Sequence, residues 1–248
     1  MELTVLGAGP AYTDRPGASG AAYLVRGGET AILLDLGQGS FPRLAAAIEP
    51  SRLTAVVVSH LHPDHFIDLV ALRHYLRYQF RPPRRVSVHA PAALGERLDA
   101  LHGQPGFSAE ALEIVPLAGG TSDIGGMRLE ARRVTHTDES YAFRVSAATG
   151  GTGLVYSGDC GVAADLAPLI RAGDVLLTEV SFGPGPVPAG ALHLDGPAVG
   201  ALAASTGPSR VLLTHLQMGF DEAATIESIR GTFAGPIEFV SPGTHLKI

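Results

Sequence analysis

Hydrophobic positions fall along this chain in two rhythms. Short apolar runs recur throughout, such as Ala55-Val56-Val57-Val58 and Val211-Leu212-Leu213, each closed by a polar residue, glycine or proline. Runs of that length, rich in branched side chains, read as strands, and those without polar alternation as buried ones. They predict strands near 2–6, 20–26, 30–35, 54–59, 86–90, 112–116, 127–134, 141–146, 153–157, 174–180, 210–214 and 236–240. Longer windows with helical spacing predict helices near 40–48, 65–80, 91–102, 163–170, 195–206 and 221–230. Asp195 is placed to cap the fifth of these. The first half is strand-rich, strand and helix then alternate, and a similar succession follows after about residue 110. That order predicts an α/β protein built as an αββα four-layer sandwich, two stacked mixed sheets with helices outside. The absence of a low-complexity linker favours one domain over 1–248. The Pro/Gly-rich 183–190 reads as a surface loop ahead of His193.

Composition narrows the class. The 248 residues are 46% hydrophobic and 17% charged, which supports a sizeable core and argues against disorder. A net charge of −6 gives no global reason to expect nucleic acid or an acidic membrane. Lys247 is the only lysine, so the basic residues are almost all arginine. The single Cys160 excludes an internal disulfide. Neither a secretory leader nor an apolar run of membrane-spanning length is visible, so the expected setting is cytoplasmic.

The chemistry concentrates in SHLHPDH (residues 59–65), directly after the run ending at Val58. In extended chain alternate side chains share a face, so His60 and His62 can point together. Pro63 then bends the chain and lets Asp64 and His65 open a helix. Neutral imidazoles and carboxylates are the donors zinc takes at about 2.0–2.2 Å. Further candidates close other strands: His136 in RRVTHTDES, Asp159 in VYSGDCG and His215 in VLLTHL. Together they make a two-metal set, with His60, His62 and His136 on one ion, Asp64, His65 and His215 on the other, and Asp159 bridging. A bridging carboxylate holds two ions about 3.5–4 Å apart, close enough to share one hydroxide.

HLHPDH, a later His, SGD and a strand-terminal THL, in that order, resemble the metallo-β-lactamase fold superfamily. The resemblance runs from the N-terminal strand to His215 and implies two zinc ions, with manganese or iron as alternatives, and metal-dependent hydrolysis. True zinc β-lactamases fit poorly, because they generally lack the bridging Asp. Cys160, one residue past Asp159, reads as a small buried filler. TEVSF (178–182) and GALHLDGPAVGALAA (190–204) are similar to segments of the ribonuclease Z-like phosphodiesterases. In that branch the Glu, here Glu179, orients the His, here His193, which assists the leaving oxygen. Asp195 departs from the Thr or Ser that often follows in that group. Asp64 is implied to orient the attacking hydroxide as well as to bind metal. Only 23 positions separate His136 from Asp159, where ribonuclease Z inserts its tRNA-gripping arm. The resemblance therefore points away from tRNA 3′ processing and long RNA, toward a small phosphodiesterase acting on cyclic nucleotides or other small phosphodiesters. The rival readings are a thioester or lactone hydrolase of the same fold, and a noncatalytic metal-site protein of coenzyme biosynthesis.

Other features are secondary. The glycine-rich 7–20 lacks dinucleotide-binding spacing; Asp14 and Arg15 within it are candidate substrate contacts. Asp35 resembles a buried Asp that supports the metal loop, and Asp68 is a second such candidate. Arg73, Arg77 and Arg81 fall four apart, followed by Arg84 and Arg85, a stripe suited to phosphate or to a second subunit of a homodimer.

Overall fold

A computed structural model describes residues 1–248. The first sheet takes β1 (Glu2–Gly7), β2 (Ala22–Gly27), β3 (Thr30–Leu34), β4 (Ala55–Val57), β5 (Val86–Ala90) and β6 (Leu112–Pro116) in simple sequence order. The second takes β7 (Gly120–Ile124), β8 (Met127–Arg133), β9 (Tyr141–Ala147), β10 (Gly153–Tyr156), β11 (Val175–Glu179), β12 (Arg210–Thr214) and β13 (Ile237–Phe239), again in order. The C-terminal β14 (His245–Lys247) returns to pair antiparallel with β1 at the first sheet's edge. Both sheets are mixed. β3 to β6 run parallel in one and β10 to β13 in the other, with antiparallel strands beside them. Strands inside a parallel block are covered on both faces, which is why β3, β4 and β11 are uniformly apolar or buried.

Helices α1 (Phe41–Ala47), α2 (Pro63–Phe66), α3 (Leu69–Tyr78) and α4 (Leu94–His102) lie on the first sheet, packing Leu44, Leu69, Leu72, Leu76, Leu94 and Leu98 over it. Helices α5 (Gly196–Thr206) and α6 (Glu222–Arg230) cover the second through Val199, Leu202 and Ile229. Between the sheets, Val5, Tyr23, Val25, Ile32, Val57, Phe143, Leu154 and Leu177 form the central layer. The expected αββα sandwich is thus present. Asp195 caps α5 by accepting from Ala198 N at 3.0 Å, and Asp221 caps α6 through Ala224 N at 2.8 Å.

Four local expectations change. The window 65–80 is two helices, because Asp68 breaks the run: its N–H donates to Leu36 O and its carboxylate accepts from Phe41 N at 2.8 Å. Asp68 therefore anchors α1 and does not reach the histidine loop. The window 163–170 forms two short 3₁₀ turns, 163–165 and 167–169, with Pro168 inside the second. Strands β7 and β14 carry too little apolar pattern to be foreseen; β7 is an exposed hairpin arm turned by Gly125 at φ +57°. Last, the arginine stripe dissolves. Arg73 is buried, donates to Phe107 O and to Glu110, and stacks on the Phe107 ring. Arg77 joins it on Glu110, while Arg84 and Arg85 hold Ser51 and Ala109 O. Helix α3 ends before Arg81, so no continuous basic face exists.

Candidate metal centre

Every predicted candidate ligand stands just beyond the C-terminal end of a strand, on one rim of the sandwich. His60, His62, Asp64 and His65 follow β4; His136 follows β8; Asp159 follows β10; His215 follows β12. In open α/β sheets this end of the strands is where ligand crevices form. The loop after β4 is clamped by backbone bonds: Asp64 O accepts from Ala21 N at 2.9 Å, and His65 O from Leu36 N at 2.8 Å. Gly37 permits the close approach, since a Cβ there would lie 1.8 Å from Asp64 O. Asp35 (φ +57°) and His215 (φ +60°) are the two non-glycine residues in the left-handed region, and both serve this rim. Such conformations cost about 1–3 kcal/mol and concentrate at functional sites.

The ring nitrogens converge in two groups. His60 Nε2 is 3.1 Å from His62 Nδ1, and His136 Nε2 is 3.2 Å from the same atom. Donors at about 2.0–2.1 Å around a tetrahedral ion lie roughly 3.3 Å apart. On the other side His215 Nε2 is 3.2 Å from Asp64 Oδ2, and His65 Nε2 is 3.7 Å from it. Asp159 spans both groups. Its Oδ1 faces His65 Nε2 at 3.3 Å and His215 Nε2 at 3.5 Å; its Oδ2 lies 3.7 Å from both His60 Nε2 and His136 Nε2. His65 Nε2 and Asp159 Oδ1 are fully buried without a hydrogen-bond partner. Orphaned buried polar atoms are rare, and these two lie 3.3 Å apart beside the other His and Asp groups. These residues fit metal cations.

Electrostatics agree. Burial, and then the neighbouring His65, hold His60 well below the usual histidine range, so it stands as a neutral donor. Burial opposes a charge on His65 too, but Asp159 and Asp35 outweigh it and push that ring well above the usual range. Asp159 is also desolvated, yet His215 and His65 hold its carboxyl well below the carboxylate range. The carboxylates call for positive charge at this point, whether proton or cation.

The outer nitrogens are held as well. Asp35 accepts from His65 Nδ1, Ser59 Oγ, Ser59 N and Tyr156 Oη, each at 2.7 Å. It thereby braces the histidine loop. His136 Nδ1 donates to Leu192 O at 2.7 Å, leaving Nε2 free to face the cluster. Glu179, fully buried, accepts from His193 Nδ1 at 3.0 Å and from Cys160 N at 2.8 Å. Burial would lower the His193 pKa, but Glu179 outweighs it and the ring is raised above the ordinary value. His193 stands beside the rim, with Nδ1 4.0 Å from Asp159 Oδ2. Cys160 is a buried filler: burial pushes its thiol up to about 12 and its Sγ contacts Val162 O.

A cleft of about 280 Å³ opens over the centre, lined by Tyr12, His62, Asp64, Asp159, His193, His215 and Gln217 among others. Tyr12 and Gln217 were not foreseen, having no motif to mark them. Arg15 does not face this cleft: its guanidinium donates to Leu216 O and Phe220 O, strapping the 8–20 loop to the segment after His215. Asp14 is likewise absent from the lining and exposed.

Comparison with known proteins decides the family. The family model described as a beta-lactamase superfamily domain matches residues 30–216, which spans the histidine loop and every other candidate ligand. The chain belongs to that superfamily. Among superfamily relatives, the uncharacterized protein Rv1339 of Mycobacterium tuberculosis is 30% identical over 97% of this chain and 89% of its own. The probable metallo-hydrolase YhfI of Bacillus subtilis is 26% identical over 87% of each chain. Its crystal structure superposes with a TM-score of 0.87 at 20% identity, covering 99% of this chain and 98% of that one. A diphosphatase of the PhnP family superposes at 0.76 with 18% identity, over 100% and 97% of the two chains. Superfamily membership, with the paired His/Asp groups, supports metal-dependent hydrolysis as the chemistry.

Proposed function

We propose that this protein is a dinuclear zinc-dependent phosphodiesterase acting on small phosphodiesters, cyclic nucleotides among them. His60, His62 and His136 would hold one ion, Asp64, His65 and His215 the other, and Asp159 both; manganese or iron suits the same donors. When bound there, the ions supply Lewis acidity toward the phosphoryl oxygens and make water a nucleophile at neutral pH. The observation that carries the reading is the His193–Glu179 pair, a buried carboxylate fixing an imidazole at the edge of the cleft. With Nδ1 bound to Glu179, His193 presents Nε2 as the proton-bearing atom toward substrate. An alkoxide leaves reluctantly, and an imidazolium so placed gives it a proton as the P–O bond breaks. Asp64, which also lines the cleft, would orient the attacking water. Thioester hydrolysis, whose thiolate leaves readily, has less need of that acid.

Two further observations support the substrate size. Residues between His136 and Asp159 are used up by β9, β10 and their turn, so no segment extends to grip a long RNA. The cleft's 280 Å³ suits a small ester. The diphosphatase likeness is consistent with phosphoryl chemistry on this fold. The test is a screen of metal-loaded protein against bis(p-nitrophenyl) phosphate, cyclic nucleotides, a thioester and a lactone. Phosphodiesters should turn over with kcat/KM at least tenfold above the others. Preference for thioester or lactone would refute the assignment.

A further inference from the structure

Ser181, two residues past Glu179, is wholly buried, and its hydroxyl stands among three partners. Its Oγ donates to Glu179 Oε2, and its own N–H reaches the same oxygen at 3.1 Å. The same Oγ lies 3.0 Å from His215 Nδ1 and 3.2 Å from His193 Nδ1. A serine hydroxyl has one proton. With that proton on the carboxylate, only lone pairs face the imidazoles, so His215 Nδ1 must bring its own hydrogen, and the one on His193 Nδ1 is shared between Glu179 Oε1 and Ser181 Oγ. His215 is thereby fixed as the Nδ1–H tautomer, with the Nε2 lone pair directed at the gap between Asp64 Oδ2 and Asp159 Oδ1, 3.2 and 3.5 Å away.

The opposite sheet repeats the arrangement. Ser59 Oγ donates to Asp35 Oδ2 at 2.7 Å and lies 3.1 Å from His60 Nδ1. Each carboxylate thus takes one imidazole directly (His65 on Asp35, His193 on Glu179) and faces a second through a serine (His60, His215). From this paired geometry we propose that Ser181 is a positioning residue: it ties His215 and His193 to the single carboxylate of Glu179 and sets both rings at once. The His193 half rests on the phosphodiesterase reading; the His215 half does not.

The test compares Ser181→Ala and Ser181→Thr in the full chain, measuring zinc affinity by chelator competition and kinetics on an alkyl phosphodiester. Loss of an outer partner of a metal-binding His typically weakens binding about 10–100-fold. Ser181→Ala should weaken one ion by that factor and leave the other unchanged, and should lower kcat with little change in KM. Ser181→Thr, which keeps the hydroxyl, should restore both. Wild-type affinity for both ions in the alanine variant, equal weakening of both, or failure of threonine to restore them would overturn the proposal. If neither variant folds, histidine ¹⁵N shifts of the zinc-loaded wild type decide: zinc on His215 Nε2 with Nδ1 protonated supports it, and zinc on Nδ1 overturns it. Absence of phosphodiesterase activity in the wild type defeats the functional reading alone, because the affinity ratio still judges Ser181 through His215.

Discussion

His193 comes from the loop before α5, with no strand of its own behind it, and owes its orientation to Glu179 and Ser181. If it protonates the leaving oxygen, its loss matters most where that oxygen leaves badly. General acid assistance is worth about 10²–10⁴-fold, roughly 3–5 kcal/mol of barrier. His193→Ala should therefore cut turnover of an alkyl or ribose phosphodiester by about that factor and of a p-nitrophenyl ester far less. Metal content should not change; steady-state kinetics on the two ester types, beside elemental analysis, would show it. Equal losses on both esters would remove the acid role. The candidate ligands were legible in the sequence because four crowd into residues 60–65 and the other three stand within three residues of a strand end. Ser59 and Ser181 were not, because a hydroxyl at a strand end looks like any other polar terminus until its partners are seen.

At the scale of elements, β9, β10 and β11 are joined below the site by a buried ion pair. Arg144 donates to both oxygens of Asp174 at 2.7 and 2.9 Å, and Asp174 also accepts from Gly153 N and Arg171 N. Burial would raise the Asp174 pKa, but Arg144 and those N–H groups outweigh it and hold it below the usual range. Its contribution to stability is then complete above the unfolded value of about 4 and is lost as pH falls through the lower folded value. Asp174→Ala should cost about 3 kcal/mol at pH 7, toward the lower end for breaking a buried pair, and the gap to wild type should narrow at acid pH, below the ordinary carboxylate value of about 4. Urea melts at the two pH values measure this; a gap independent of pH would contradict it. The short β9–β10 connection carries a second expectation: metal-loaded protein should not cleave precursor tRNA at its 3′ end, and rapid site-specific cleavage at low enzyme concentration would reverse that. Strongly apolar elements were legible from the sequence to within about two residues at most ends. The polar edge strands β7 and β14 were not, because pairing with a neighbour rather than burial creates them. The arginine stripe misled for a related reason. Helical spacing reports which side chains share a face, and it is silent about Phe107 and Glu110 arriving from a later turn to absorb Arg73.

Across the whole molecule, the candidate centre joins the two sheets: His60, His62, Asp64 and His65 follow a strand of the first, and His136, Asp159 and His215 follow strands of the second. Ions held between them would bind the native state alone, so the folded protein should gain stability as RT ln(1 + [L]/Kd), roughly 2.7 kcal/mol at a hundredfold excess over Kd. Chelation should lower the Tm, and restoring zinc should recover it; a Tm indifferent to chelator would place the ions outside the fold's stability. No helix is long and apolar enough to cross a membrane. The layered architecture was legible because the order of apolar runs dictates it, whereas the meeting of the two rims was inferred from donor chemistry and from the resemblance. The most direct measurement is elemental analysis of the metal-reconstituted chain and of Asp159→Ala. Two ions per chain are expected in the wild type, with weakened retention of at least one when the bridging carboxylate is removed. One ion or fewer in the wild type, or two tightly held ions in Asp159→Ala, would contradict that expectation.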